Sequence, residues 1–324
     1  MNISKSPIFA LQENVSNNVV FVDGITRCGK SLFSNILPTL KNTEQLQFFV
    51  LLEHIVPALS FQMISPEYAK SSVRTIMNEL AYNQLLSRNA NFRPGDQTSV
   101  LKHPNAEQYF KRLSAEEGDS IIDELRKRNR LFPFMTHDMM VNLEFLDLLE
   151  IDYKMIHVLR HPVDMIHSWF IRGWGERFLN DPRSFTLSID FESKNLPWYC
   201  NGVEKTWLKL NPMERCVFTV LNLIECTINQ YNKAKYPSKI HNVVFEDFVQ
   251  DTQIEMDKIC QFLGTEPGFA LGNALTNARC PRVLDISLRM KKMKEFKNGI
   301  SEELYVKLLA ISDRYENQIY GFKK

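Results

Sequence analysis

Val19-Val20-Phe21-Val22-Asp23-Gly24-Ile25-Thr26-Arg27-Cys28-Gly29-Lys30-Ser31 is the stretch on which the reading of this chain turns. Its first four residues are β-branched or aromatic and stop at Asp23-Gly24, the pattern of a buried strand running into a turn. A helix is expected from about Ser31. Between the two, Gly24 to Ser31 satisfies the spacing G-x-x-x-x-G-K-[ST], in the strand-to-helix context that a phosphate-cradling loop requires. The glycines let the backbone curl so that N–H groups converge on an anion, and the start of the helix adds its positive end. Thr26, Arg27, Cys28, Gly29, Lys30 and Ser31 are therefore candidate anion-binding residues. Arg27 adds a guanidinium suited to two-pronged contact with the oxygens of a tetrahedral anion. The loop by itself leaves the chemistry open, because nucleotide hydrolases and other group-transfer enzymes share it.

A second anion signal lies in Met155-Ile156-His157-Val158-Leu159-Arg160-His161-Pro162. An apolar strand, Tyr153 to Leu159, delivers Arg160 to its carboxyl end, and Pro162 opens a helix through Ser168. Seven residues from His161 bring Ser168 back to the starting face, about 10 Å along the helix. Arg160 and Ser168 can thus meet on one phosphate. A magnesium-dependent kinase or nucleotide hydrolase would want an acidic metal ligand at such a strand end, and this one is basic.

Leu131 to Thr136 and Ile240 to Phe245 are further strand candidates, and Met139 to Leu149 reads as helical. Strands alternating with helices predict an α/β fold, a P-loop-type parallel sheet flanked by helices. Residues 44 to 128 read as a largely helical insertion after the first βα unit. Ser65-Pro66-Glu67 opens one of its helices, and Asn91 to Ser99 is a polar interruption. Asn211-Pro212-Met213-Glu214 is a helix entrance, with the helix expected to run to about Ala234. Residues 172 to 208 hold three of the four tryptophans among Gly, Pro and Asn residues, and read as a long ordered loop. No repeat or Gly/Ser-rich linker divides the 324 residues, so one domain spanning 1–324 is the expectation.

With 39 basic against 38 acidic residues, no global field exists to hold nucleic acid or an anionic membrane. Neither nucleic-acid binding nor membrane insertion is expected. The amino-terminal stretch MNISKSPIFALQENVSNN lacks a leader-length apolar run, and Leu46 to Phe61 is broken by Glu53, His54 and Pro57. A cytoplasmic location is the expectation. Cys28, Cys200, Cys216, Cys226, Cys260 and Cys280 include no CxxC pair, which argues for free thiols and against a zinc or dithiol centre.

Taken together, the two anion motifs resemble those of sulfotransferases that use 3′-phosphoadenosine 5′-phosphosulfate. Val19 to Leu40 is similar to their 5′-phosphosulfate loop, with Arg27 in the place of the basic residue and Gly29-Lys30-Ser31 in that of Gly-Thr-Thr. Met155 to Phe170 is similar to their 3′-phosphate motif, with Arg160 and Ser168 at the family spacing. RHPVDMIHSWFIR is especially similar to Golgi-type and tyrosylprotein members. Val243 to Phe248 followed by Ile259 to Gly264 resembles a late strand and helix of the family. Lys30 departs from the usual threonine. The resemblance implies a nucleotide donor, release of 3′,5′-adenosine bisphosphate, no required metal, and a small-molecule or glycan acceptor. It implies that Arg27 and Lys30 neutralise charge on the leaving oxygen.

Two residues compete as general base. His137, in Thr136-His137-Asp138, follows a predicted strand and so lies at the carboxyl edge where ligands bind in open α/β sheets. It resembles the Lys-Thr-His segment of cytosolic sulfotransferases, with Met135 in place of lysine. Glu53, in Leu52-Glu53-His54-Ile55-Val56-Pro57, loosely resembles the acidic segment of Golgi-type enzymes. The run Arg289 to Lys294 reads as a solvated face rather than a cover for the 3′ phosphate. Trp169, Trp174, Trp198, Tyr199 and Trp207 read as core rather than acceptor-pocket residues.

Overall fold

The computed structural model describes residues 8–322. The start of the amino-terminal stretch read above, residues 1–7, lies outside them. Seven strands form: β1 (Val19–Asp23), β2 (Gln47–Phe48), β3 (Phe132–Met135), β4 (Tyr153–Leu159), β5 (Ser188–Phe191), β6 (Lys194–Pro197) and β7 (Ile240–Val244). Five make one sheet in the order β2-β3-β1-β4-β7, parallel throughout. The fold is the expected α/β sheet flanked by helices. β1 is central and wholly buried. Its alternation sorts the interior, since Val19 and Phe21 join one apolar cluster while Val20 and Val22 join the other.

The 44–128 segment is mostly helical, with helices Val50–Ser60, Pro66–Leu85, Glu107–Arg112 and Asp119–Arg126. Two features differ from expectation. It contributes the edge strand β2, paired as Gln47 with Phe134 and Phe48 with Met135, a segment too short to carry a periodic signal. Its first two helices also form one of the two layers on the sheet: Leu52, Val56, Val73 and Met77 pack with Phe21 and Phe134. Each such side chain, buried, stabilises the fold by about 1.5–3 kcal/mol. Ser65 caps the longer helix by accepting from the Tyr68 N–H, with Pro66 at its first turn.

On the other face, Pro212–Asn232 is the longest helix. Asn211 Oδ1 accepts from the Glu214 N–H at 2.9 Å, and Glu214 Oε2 accepts from the Asn211 N–H at 3.0 Å, a reciprocal cap that fixes where it starts. The helix expected from Ser31 is broken. It is a 3-10 turn at Lys30–Leu32, one α-turn at Phe33–Ile36 and a second 3-10 turn at Leu37–Thr39, because Pro38 has no N–H with which to continue an α-helix.

The 172–208 segment is not a loop. It contains helices Trp174–Asn180 and Glu204–Lys209 and the antiparallel hairpin β5–β6. Glu192 and Ser193 turn the hairpin at φ 50° and 61°. That left-handed pair is usually Asn-Gly, so the residues gave no hairpin signal. All six cysteines are free. No described helix is long and apolar enough to cross a membrane.

Candidate active site

All five strands of the main sheet point their carboxyl ends at one place. β1 leads into the glycine loop, β2 ends at Phe48, β3 precedes His137, β4 precedes Arg160 and β7 precedes Phe245. Thr26, Arg27, Gly29, Lys30, Ser31, Phe48, His137, Arg160 and Phe245 line a common cavity of about 1010 Å³. This is the crevice that an open parallel sheet provides for ligands, and it is large enough for a nucleotide.

The loop's shape follows from its glycines. At φ +148°, a Cβ on Gly24 would sit 2.5 Å from the Val158 carbonyl oxygen; at φ +104°, a Cβ on Gly29 would sit 2.4 Å from the Phe245 ring. Neither position tolerates a side chain. Between them Arg27 is itself left-handed, at φ 75°. Lys30 is almost wholly buried, and its Nζ donates to the Gly24 carbonyl at 2.6 Å. The ammonium therefore closes the loop on itself while its residue still borders the cavity. Cys28 departs from the sequence reading. It is fully buried, its N–H is used by the Ile25 carbonyl at 3.0 Å, and it does not line the cavity.

Arg160 and Ser168 do meet the loop. Arg160 Nη1 donates to the Arg27 carbonyl at 3.1 Å, and Arg27 Nε donates to Ser168 Oγ at 3.1 Å. The two anion motifs are thus one continuous cationic wall rather than separated pockets. Ser168 reaches the cavity only through Arg27. Burial, with Arg172 and Arg160 alongside, pushes the Arg27 guanidinium below its ordinary range. Positive charge is concentrated here and favours an anion. Arg160 lies 4.8 Å from the Phe245 ring centroid, and Arg282 lies 5.5 Å from the same ring. The Arg160 Nε is buried without a hydrogen-bond partner. Such a donor is costly to leave unmade.

The two rival bases turn out to be partners. His137 Nδ1 lies 2.9 Å from Glu53 Oε1, and the His137 ring stacks on Phe48 with centroids 6.2 Å apart. Glu53 stands in the first turn of helix Val50–Ser60. His137 is aimed by Asp23, which accepts from Thr136 Oγ1 at 2.9 Å and from the Met139 and Met140 N–H groups at 3.1 Å. With Nδ1–H given to the carboxylate, the imidazole keeps Nε2 free to accept a proton. Beside it Asp138 accepts from the Thr26 N–H at 3.2 Å, tying this turn to the glycine loop. Burial pushes the Asp138 carboxyl up to about 6.

A second cavity, about 390 Å³, adjoins the first. Thr26, Phe48, His137 and Trp174 line both, so the two communicate at the imidazole. Glu53, Trp169, Trp198 and Tyr199 line the second alone. Four of the five aromatics read as core in the sequence therefore wall a cavity. The fifth, Trp207, is core, with its Nε1 donating to Thr219 Oγ1 at 3.0 Å. The run Arg289 to Lys294 does not line the larger cavity. Arg289 and Lys292 hold Asp164 at 3.0 and 2.6 Å, bracing the helix that follows Arg160. That helix is also pinned where His161 Nε2 meets Glu316 Oε1 at 2.9 Å and the His161 N–H donates to Glu246 Oε1 at 3.1 Å. Burial and the neighbouring Arg289 push His161 down to about 4. Arg282 and Phe48 were not singled out by sequence, each being an isolated residue outside any motif.

A parallel sheet whose carboxyl edge carries a glycine loop, a guanidinium wall and an imidazole–carboxylate pair defines an enzyme that transfers an anionic group. The sulfotransferase domain family matches residues 17–299, and the chain belongs to it; it is a sulfotransferase. Similar solved structures include the sulfotransferase domain of the Synechococcus PCC 7002 olefin synthase. The two share 16% identity over 95% of this chain and 97% of that one, with a TM-score of 0.46. The sulfotransferase domain from the curacin biosynthetic pathway is 14% identical over 93% and 98%, with a TM-score of 0.49. A sulfotransferase from Alicyclobacillus acidocaldarius is 14% identical over 94% and 99%, with a TM-score of 0.39. Comparison with curated proteins finds no match.

Proposed function

We propose that this single-domain enzyme transfers a sulfuryl group from 3′-phosphoadenosine 5′-phosphosulfate to an acceptor hydroxyl, with His137 as general base. The observation that carries the reading is the junction of the two cavities at His137, held by Glu53 at 2.9 Å. The glycine loop and Arg27 bind the 5′-phosphosulfate. Arg160, with its unpartnered Nε, and Ser168, through Arg27, support the end that carries the 3′ phosphate, and Arg282 lines the same cavity.

The acceptor oxygen attacks sulfur in line with the bridging oxygen. One O–S bond forms, the S–O bond to the 5′ phosphate breaks, and 3′,5′-adenosine bisphosphate leaves. The acceptor proton passes to His137 Nε2, and the carboxylate of Glu53 stabilises the imidazolium that results. Arg27 offsets charge on the departing phosphate. Lys30 acts chiefly by holding the loop's curl through Gly24. This residue set calls for no metal ligand in the transfer step.

Calorimetric titration tests the donor assignment. Adenosine bisphosphate is expected to bind without magnesium and far more tightly than AMP, with Arg160→Ala erasing the difference. Tight, magnesium-dependent ATP binding would instead restore the kinase or nucleotide hydrolase reading.

A further inference from the structure

Arg160 stands at two cavities. One is the larger cavity described above; the other is a small one of about 10 Å³. Among the described residues Arg160 alone lines both. The small cavity is mostly apolar, and its other polar members are His157, Thr227 and Tyr320. A space of this volume holds a single water-sized body.

Three of the four polar residues around it carry a buried atom that no protein group partners: Arg160 Nε, Thr227 Oγ1 and Tyr320 Oη. They come from distant parts of the chain. Arg160 follows β4, Thr227 lies on helix Pro212–Asn232, and Tyr320 belongs to the last turn, Ile319–Gly321. Each side chain is fixed by other contacts. Arg160 Nη1 is given to the Arg27 carbonyl, and the Tyr320 ring packs on Tyr315 and Phe322 with centroids 5.1 and 5.9 Å apart. Buried polar groups of folded proteins find a partner in the protein or in ordered water, and three meeting at one water-sized space call for a shared one. The fourth residue, His157, has its Nδ1 3.0 Å from Asn242 Oδ1, and burial pushes its imidazole below the ordinary range. The guanidinium is therefore the charge at this cavity. It repels a metal cation, and a sulfate or phosphate ion is too large for the space.

We infer that one water molecule binds in this cavity, accepting from Arg160 Nε and bridging it to the hydroxyls of Thr227 and Tyr320. A guanidinium can only donate, whereas a hydroxyl can give or take. The three bonds therefore close without setting donor against donor, and three is the usual number for a buried water. With Nη1 on the Arg27 carbonyl and Nε on the water, the guanidinium is held from two sides before any ligand arrives. Thr227 and Tyr320 do not line the larger cavity, and they act on it as positioning residues that aim Arg160. The water's place is independent of the sulfuryl-transfer reading; its effect on bisphosphate binding rests on that reading.

The test joins a high-resolution crystal structure of the full chain to calorimetry with adenosine bisphosphate and with AMP. A single water peak is expected within about 3.2 Å of all three atoms. No peak at that place, or a direct hydrogen bond between any two of the three groups, overturns the inference. Thr227→Val removes the hydroxyl and keeps the branched shape. It is expected to weaken bisphosphate binding about three- to tenfold, the loss of one hydrogen bond, with AMP binding unchanged. Tyr320→Phe is expected to do the same, and Thr227→Ser, which keeps a hydroxyl, is expected to retain the parent affinity. A loss that falls equally on AMP, or that Thr227→Ser shares, marks a merely structural role and overturns the positioning of Arg160. A parent chain that shows the water and yet does not prefer bisphosphate to AMP upholds the water site and overturns the donor reading.

Discussion

The two cavities that meet at His137 are built on opposite principles. The larger gathers strand ends and fixed charge, and is closed by residues of the helical insertion and of helix Leu271–Asn277. Its loop is locked by two glycines that tolerate no Cβ, and its cations are held against backbone carbonyls and Ser168. The smaller is made by the Trp-rich segment and helix Val50–Ser60, and its walls are aromatic rings. The sheet therefore positions the charged wall of one cavity, whereas the aromatic wall of the other comes from segments outside the sheet. The glycine loop is tied to the smaller cavity's wall through Trp169. That ring's Nε1 donates to the Thr26 carbonyl at 2.7 Å.

Substitutions can break this contrast. The largest effect is expected at the junction: His137→Ala should lower kcat by about 10²–10⁴ while leaving adenosine bisphosphate affinity in place, as read by steady-state kinetics and calorimetry. A parallel loss of nucleotide affinity would mean that the cavities are not separable. Next, Arg160→Ala should weaken bisphosphate binding about 10- to 100-fold in calorimetry, as befits loss of a charged hydrogen bond. Glu53→Gln should reduce kcat about tenfold, because the amide still accepts from Nδ1 but no longer offsets an imidazolium; an unchanged kcat would leave His137 without need of its partner.

The smallest effect is on stability. Asp138 is buried and its carboxyl is raised to about 6 from an ordinary 3.8. The folded state thus holds this proton more tightly than the unfolded state. The resulting stabilisation is complete below pH 4 and is lost as pH rises through about 6, by on the order of 2–3 kcal/mol. Asp138→Asn removes the dependence, so its melting temperature relative to the parent should be more favourable at pH 7.5 than at pH 4.5. Equal differences at both pH values would show that Asp138 carries no such burden.

How far the sequence disclosed each cavity follows from the range of the contacts. Gly24 to Ser31 and Arg160 to Ser168 were legible because strand, turn and helix start lie within one short string, and the physics of anion binding there is local. The Glu53–His137 pair was not, because 84 residues separate its members, and each alone looked like a rival. β2 was too short to show a period, and Glu192-Ser193 lacked the turn chemistry that marks a hairpin. The Arg289 run read as a solvated face, whereas Arg289 and Lys292 are largely buried against Asp164. That partner, 125 residues from Arg289, could not be foreseen, nor could the placement of Arg282 beside Phe245.

The brace on Asp164 carries a consequence for biosynthesis. Arg289 and Lys292 come from helix Ile286–Gly299, and Glu316 from helix Glu302–Gln318, yet none of the three lines the nucleotide cavity. A nascent chain in which helices Ile286–Gly299 and Glu302–Gln318 are still inside the ribosome therefore has the residues that line the larger cavity already emerged, but lacks the Arg289 and Lys292 brace on Asp164 and the Glu316 contact to His161. Such a chain is expected to hold an anionic ligand less firmly until those two helices have emerged.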